Sequence, residues 1–257
     1  MDYLWVPPKP AIIRPAEKEL IAPILGITML ARTSLCRRGA AAAAAGGDVP
    51  TFFAAGTASN DTGGGPSVTP SYPASVSADD VAIMIHVSID FGASGGFSLS
   101  TPSGWAAVGA QVVEGSVLYA RAYWKRLAGS ESGTVTVSHS AGFFQAYARI
   151  GVYRGCTTIG DPFEDYDSTS GFGNTITSPS TTTTAANRIG LRLSCVVSGY
   201  ATSPPSGWTE DYETNVNALN IAGDRKTIAS ASTESASART ASLETQYIVL
   251  AMALKPT

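Results

Sequence analysis

Hydrophobic and polar residues along this chain follow two regimes that change near residue 47. From about residue 48 onward, short apolar runs alternate with clusters of Gly, Ser, Pro and Asn, the pattern of β-strands divided by turns. The runs 52–58, 81–89, 105–113, 117–125, 134–139, 145–153, 189–197, 216–221 and 246–254 read as strands. Thr134-Val135-Thr136-Val137-Ser138 alternates as a half-buried strand does, whereas 81–89 is almost continuously apolar and predicts a central strand covered on both faces. No helical period persists after residue 50. Two Ser/Thr-rich stretches, 178–184 and 230–242, have the composition of linkers, but β-branched threonine also suits an exposed edge strand.

The β region contains a diverged internal repeat. Thr101-Pro102-Ser103-Gly104-Trp105 recurs as Pro204-Pro205-Ser206-Gly207-Trp208. Upstream, Val68-Thr69-Pro70-Ser71 corresponds to Thr177-Ser178-Pro179-Ser180; downstream, Lys125 aligns with Lys226 and Tyr147 with Tyr247. The copies span about 67–153 and 175–256. A single doubling at this spacing is too long for a solenoid repeat and predicts two structural halves. They form either two tandem sandwiches or one larger one. One sandwich is favoured, because a lone half has few long apolar strands and needs the other to bury its inner face. The fold class expected is therefore all-β, an antiparallel, jelly-roll-like β-sandwich over 48–257.

Residues 1–47 read differently. Trp5-Val6-Pro7-Pro8-Lys9-Pro10 must be extended, since proline fixes its own φ and biases the residue before it. Residues 17–35 suit a short helix interrupted by Pro23, and the Ala40–Ala45 run closes on Gly46-Gly47. Trp5, Ile12, Ile13, Leu20, Leu25, Ile27 and Leu30 have no core of their own here. Such an arm gains order only by lying on something else, either the following domain or, as the favoured expectation, a partner subunit. Trp5, Pro7, Pro8, Ile12, Ile13 and Leu25 are the apolar docking candidates, with Arg37 and Arg38 beside Arg32 to meet acidic patches.

Composition narrows the function classes. Charged residues make up 14% of the chain, against roughly 25% in an ordinary soluble domain. The net charge of −3 lacks the basic stripe of a nucleic-acid binder, so no nucleic-acid partner is expected. The apolar run 24–30 is far short of the roughly 20 residues of a membrane span, so no membrane partner is expected either. Asp2 and the early prolines argue against a secretory leader. Cys36, Cys156 and Cys195 are too few and too scattered for a disulfide framework, and reduced thiols are expected. An odd cysteine linking neighbouring copies of an assembly is the alternative. Two histidines and three cysteines leave little for a zinc site, and no metal, cofactor or enzymatic activity is expected.

Candidate chemistry is sparse. Gly92-Ala93-Ser94-Gly95-Gly96 has the form of a nucleophile elbow, but a β-type run follows where a helix is required. His86 interrupts a buried strand and His139 shares a face with Val135 and Val137, so each is expected to be a hydrogen-bonded or edge residue rather than a catalytic base. The acids of 161–167 concentrate in what reads as a solvated loop between the repeats without EF-hand spacing, and Glu210, Asp211 and Glu213 read likewise. Nothing selects a carboxylate pair for glycoside cleavage. Trp105, Trp124 and Trp208 are candidate sugar platforms. The placement of Trp105 and Trp208 directly after a repeated Pro-Ser-Gly turn favours a core role for those two.

Pro102-Ser103-Gly104-Trp105, followed by Tyr123-Trp124-Lys125-Arg126, Gly129-Ser130-Glu131, Thr134-Val135-Thr136-Val137 and Tyr153-Arg154-Gly155, resembles a group of tailed-bacteriophage structural proteins. The resemblance covers about 50–257 and is clearest in the first copy; the second has Asp224-Arg225-Lys226 in place of Tyr-Trp-Lys and no Tyr-x-Gly. It implies a non-enzymatic virion component, located in the particle and made in the host cytoplasm. Such a component is a head decoration or fibre, or a neck, collar or tail accessory. Its implied partners are capsid, neck or tail subunits and further copies of itself, a trimer being the first expectation. The competing expectation is a carbohydrate-binding module or adhesin recognising host surface glycans.

Overall fold

The computed structural model describes residues 47–90, 97–140, 144–197 and 202–257. The expected docking residues Trp5, Pro7, Pro8, Ile12, Ile13, Leu25, Arg37 and Arg38 lie outside these, as do Cys36 and the 92–96 loop. All regular elements among the described residues are strands, and every pair is antiparallel.

The first half forms one sheet. It contains β1 (Thr51–Ala55), β2 (Ser59–Asp61), β4 (Ala78–Ile89), β5 (Ala106–Glu114), β6 (Leu118–Ala128) and β8 (Gln145–Arg154) in the order β1-β8-β4-β6-β5, with β2 also on β8. A short ladder of β3 (Ser67–Val68) and β7 (Val137–Ser138) stands apart from it. The second half repeats this plan with β9 (Phe163–Thr177), β11 (Arg188–Val197), β12 (Thr209–Val216), β13 (Leu219–Ile228) and β15 (Ala238–Leu254), in the order β12-β13-β11-β15-β9. Its short ladder joins β10 (Thr181–Thr183) to β14 (Ser232–Glu234), so the Ser/Thr-rich stretches contribute strands.

Alternation explains why the sheets face each other. Val81, Ile83, Ile85, Val87 and Ile89 on β4 point to one side, and Ile189, Leu191, Leu193 and Cys195 on β11 point back at them within one buried cluster. Ile248, Leu250, Met252 and Leu254 of β15 complete that cluster. Each such side chain contributes about 1.5–3 kcal/mol when fully buried. A core shared by both halves makes this one sandwich rather than two in tandem. The long strands of the first half fill one sheet and those of the second half the other, with tight hairpins joining β5 to β6 and β12 to β13. Gly115 and Ser116 turn β5 into β6 with φ of 58° and 57°, and Asn217 turns β12 into β13 with φ of 49°.

The halves are related by a pseudo-twofold axis. β1 lies against β12, β5 against β9, and β4 crosses β11. Ala106 faces Trp124 in the first sheet as Thr209 faces Arg225 in the second. Phe52 faces Tyr153 as Phe163 faces Leu254. Across the core, Trp124 meets Phe163 edge-on with ring centroids 6.1 Å apart, and the symmetry-related Arg225 sits over Phe52 at 5.5 Å. This register confirms the Lys125–Lys226 match but separates Tyr147 from Tyr247. Tyr147 points into the shared core, whereas Tyr247 belongs to a cluster on the outer face of the second sheet. A one-residue slip in a strand reverses the side a residue serves.

Each of the four edges of the two large sheets is interrupted or charged. β5 bulges between Val108 and Val112, where Gly109 has φ of 69°; β12 bulges between Glu210 and Tyr212; β1 bulges between Phe52 and Ala54. β9 carries the acids expected in a solvated loop. Here they are partnered: Glu164 pairs with Arg188 and accepts from Thr184, and Asp165 accepts the Thr182 N–H at 2.6 Å. Such edges resist pairing with another sheet.

Candidate functional site

The two Pro-Ser-Gly-Trp turns have the same backbone. The Trp105 N–H donates to the Pro102 carbonyl at 3.1 Å and the Trp208 N–H to that of Pro205 at 3.0 Å. Gly104 and Gly207, at φ of 76° and 79°, supply the left-handed position each turn requires. Each indole then folds back onto the outer face of its own sheet, and both tryptophans are only 8% exposed. Trp105 stacks on Tyr72 at 6.1 Å, and Trp208 covers the Arg192 guanidinium at 3.8 Å. Trp124 is half-buried against the shared core. A sugar platform needs an open ring face, and protein occupies the faces of Trp105 and Trp208.

Beneath the two indoles the halves diverge. On the first outer face Ala82, Met84, Tyr123, Leu127, Ile150 and Val152 form an apolar cluster with Trp105. The register places Arg192 where the first half has Met84, and Asp224 where it has Tyr123. Arg192, Asp224 and Arg239 are 3%, 1% and 3% exposed. Arg239 Nη1 donates to both Asp224 carboxylate oxygens, at 2.8 and 2.7 Å. Its Nη2 donates to Glu210 at 2.8 Å and to the Thr202 carbonyl at 3.1 Å, with Glu213 3.9 Å away. Arg192 Nη2 donates to the Ser235 carbonyl at 3.0 Å.

Burial shifts the titration of this cluster. Desolvation pushes the Asp224 carboxyl up to about 6 against the pull of Arg239, and lowers Arg192 to about 10. A narrow cavity borders the cluster, lined by Arg192, Asp224, Arg239, Ser237, Pro205 and Val249 among others. Glu210 and Glu213 are thus held by Arg239. Asp211 is buried on the inner side, accepts from the Tyr153 hydroxyl at 3.1 Å and pairs with Arg225. The expectation of a solvated acidic group at 210–213 is corrected accordingly: the bulge between Glu210 and Tyr212 turns Asp211 inward and leaves Glu210 and Glu213 together on the outer face, which sequence proximity hid.

The chain's two histidines meet on the first outer face. His86 Nε2 and His139 Nδ1 are 3.2 Å apart, and His139 Nε2 is 3.0 Å from the Gly65 carbonyl. The carbonyl only accepts, so neutral His139 carries its proton on Nε2 and accepts at Nδ1 from His86. Burial, then the neighbouring His139, lowers His86 to about 3; burial lowers His139 as well. The pair ties β4 to the β3–β7 ladder. Cys156 and Cys195 are buried free thiols, each pushed up to about 12 chiefly by desolvation.

Of the residues brought together, Asp224 was marked by the sequence only as part of the second copy's departure from Tyr-Trp-Lys, and Arg192 and Arg239 were not singled out. The available signal was a charged residue within the otherwise apolar run 189–197. Compared with protein-family models, curated proteins and solved structures, the chain finds no match.

Proposed function

We propose that this chain is a non-enzymatic structural protein of a bacteriophage virion. It docks on the particle through residues 1–47 and projects the duplicated sandwich as a head decoration or fibre, or as a neck, collar or tail accessory. The observation that carries this reading is the use of the repeated tryptophan. In both halves the most motif-like residue of the chain is spent on packing a rigid sheet, as a projecting scaffold requires. The interrupted edges support it, since a body with blunted edges remains discrete at the high local concentration of a particle surface. Association then falls to the arm, whose apolar residues lack a core in sequence. Capsid, neck or tail subunits and further copies of the chain are its proposed partners, with a trimer the first arrangement to test.

Deletion of residues 1–46 tests the proposal, with circular dichroism to establish that the sandwich still folds. Full-length protein is expected in purified particles, detected by mass spectrometry and immunogold labelling, and the folded deletion variant is expected to be absent. Normal incorporation of that variant refutes docking through the arm; absence of the full-length chain from particles refutes the virion role. A glycan array probed with the intact protein checks the competing adhesin reading, for which binding lost on Trp124→Ala without loss of fold is the required result.

A further inference from the structure

We infer that the cavity lined by Arg192, Ser237 and Arg239 on the second outer face is a binding site for a small monovalent anion of halide size. The inference is independent of the virion proposal. Arg192, Arg239 and Ser237 line this cavity, and among the described residues Arg192 Nη1, Arg239 Nε and Ser237 Oγ have no hydrogen-bond partner. Both arginines are nine-tenths buried or more, so bulk water does not solvate those N–H groups. Buried N–H groups of charged side chains are costly to leave unpaired. Neither orphan nitrogen can accept a hydrogen bond, and the hydroxyl can donate. The combination therefore suits an acceptor.

Charge decides which acceptor. The deeply buried members are Arg192, Arg239 and Asp224, with two positive charges and one negative. Asp224 turns both oxygens toward Arg239 Nη1, while Glu210 and Glu213 approach Arg239 from the more exposed side. Among the described residues Arg192 has no carboxylate within ion-pair distance. Its interactions are the Trp208 ring, the Ser235 carbonyl and the more distant fields of Asp224 and Glu234. Glu234 is itself paired with Lys226 at 2.5 Å. A buried guanidinium without a direct counter-ion favours an anion over water. The cavity is narrow, about 190 Å³ including its mouth, and its enclosed part admits one particle of roughly water size. A space of that size suits a monatomic ion better than a bulky carboxylate or phosphate.

The first half supplies the control. Met84 stands where Arg192 does, so an anion there has no guanidinium to meet. Crystals of the full chain soaked in sodium bromide and measured at the bromine edge test the site directly. An anomalous peak is expected within hydrogen-bonding distance of Arg192 Nη1 and Arg239 Nε. In solution at pH 7 and constant ionic strength, the unfolding midpoint is expected to rise with bromide or chloride relative to gluconate. Arg192→Met should abolish that halide response. Ser237→Ala, which leaves the ion pairs intact and so guards against a misfolded first variant, should weaken halide affinity roughly tenfold, the loss of one hydrogen bond to a charged group. A cavity holding only water, or a halide response shared by wild type and both variants, overturns the assignment.

Discussion

The outer faces of the two halves share a backbone and differ in what fills it. Both have a central strand flanked in the same order, a Pro-Ser-Gly-Trp turn and an indole laid across the sheet. Under Trp105 lie Met84 and Tyr123; under Trp208 lie Arg192 and Asp224. The fold is therefore specified by features the halves share, namely inward alternation, hairpin geometry and the turn glycine. The outer filling is free to be apolar or ionic. An ionic filling carries a desolvation cost that an apolar one does not, and it is strongly stabilised only while every charge keeps its partner.

The comparison is broken most severely by removing one partner. Asp224→Ala takes from buried Arg239 its bidentate carboxylate, leaving it Glu210 on the more exposed side, and removes the nearest negative field from buried Arg192; it is expected to cost about 3 kcal/mol, measured by urea unfolding. Converting the second face into the first, with Arg192→Met, Asp224→Tyr and Arg239→Leu together, is expected to leave stability unchanged or raise it by about 1–4 kcal/mol. Glu210 and Glu213 retain access to water in that variant. A loss larger than that of Asp224→Ala would show that the filling, too, specifies the fold.

The faces should also respond oppositely to pH. His86 is held neutral, its folded value about 3 lying below its ordinary 6.5. Its contribution is present above pH 6.5 and lost as the pH falls toward 3. Asp224 is raised from 3.8 to about 6, so its contribution is complete below pH 3.8 and lost as the pH rises through 6. Unfolding free energies measured from pH 4 to 8 are expected to show the stability advantage of wild type over Asp224→Asn shrinking as the pH rises. The advantage over His86→Gln should grow across the same range. The smallest effect is the most symmetric. Gly104→Ala and Gly207→Ala meet no atom within 4 Å and pay only for a positive φ, about 1–2 kcal/mol each and equal in both halves.

Much of the shared framework was legible in the sequence. The almost continuously apolar run at 81–89 became part of β4, and the repeated Pro-Ser-Gly-Trp predicted two equivalent turns. The strand β9 was not legible, because an edge strand with Glu164, Asp165 and Asp167 has the composition of a loop until Arg188 and the Thr182 and Thr184 N–H groups are brought alongside. Tyr147 and Tyr247 matched as letters, yet their pairing partners place them on opposite faces. The ionic cluster was hidden for a different reason. Arg192, Asp224 and Arg239 come from three separate strands, and only strand register makes them neighbours.

The connection from Gly155 to Pro162 runs against the carboxy-terminal tail, with Thr157 donating to Lys255 and Lys255 donating to Pro162. That tether holds two like halves in one molecule. In two identical subunits any amino-acid change appears twice, once on each side of the axis, and both sides must tolerate it. A tandem gene escapes this constraint, so one flank can stay inert ballast while the other acquires charge, a ligand or a sensor without a mirrored penalty.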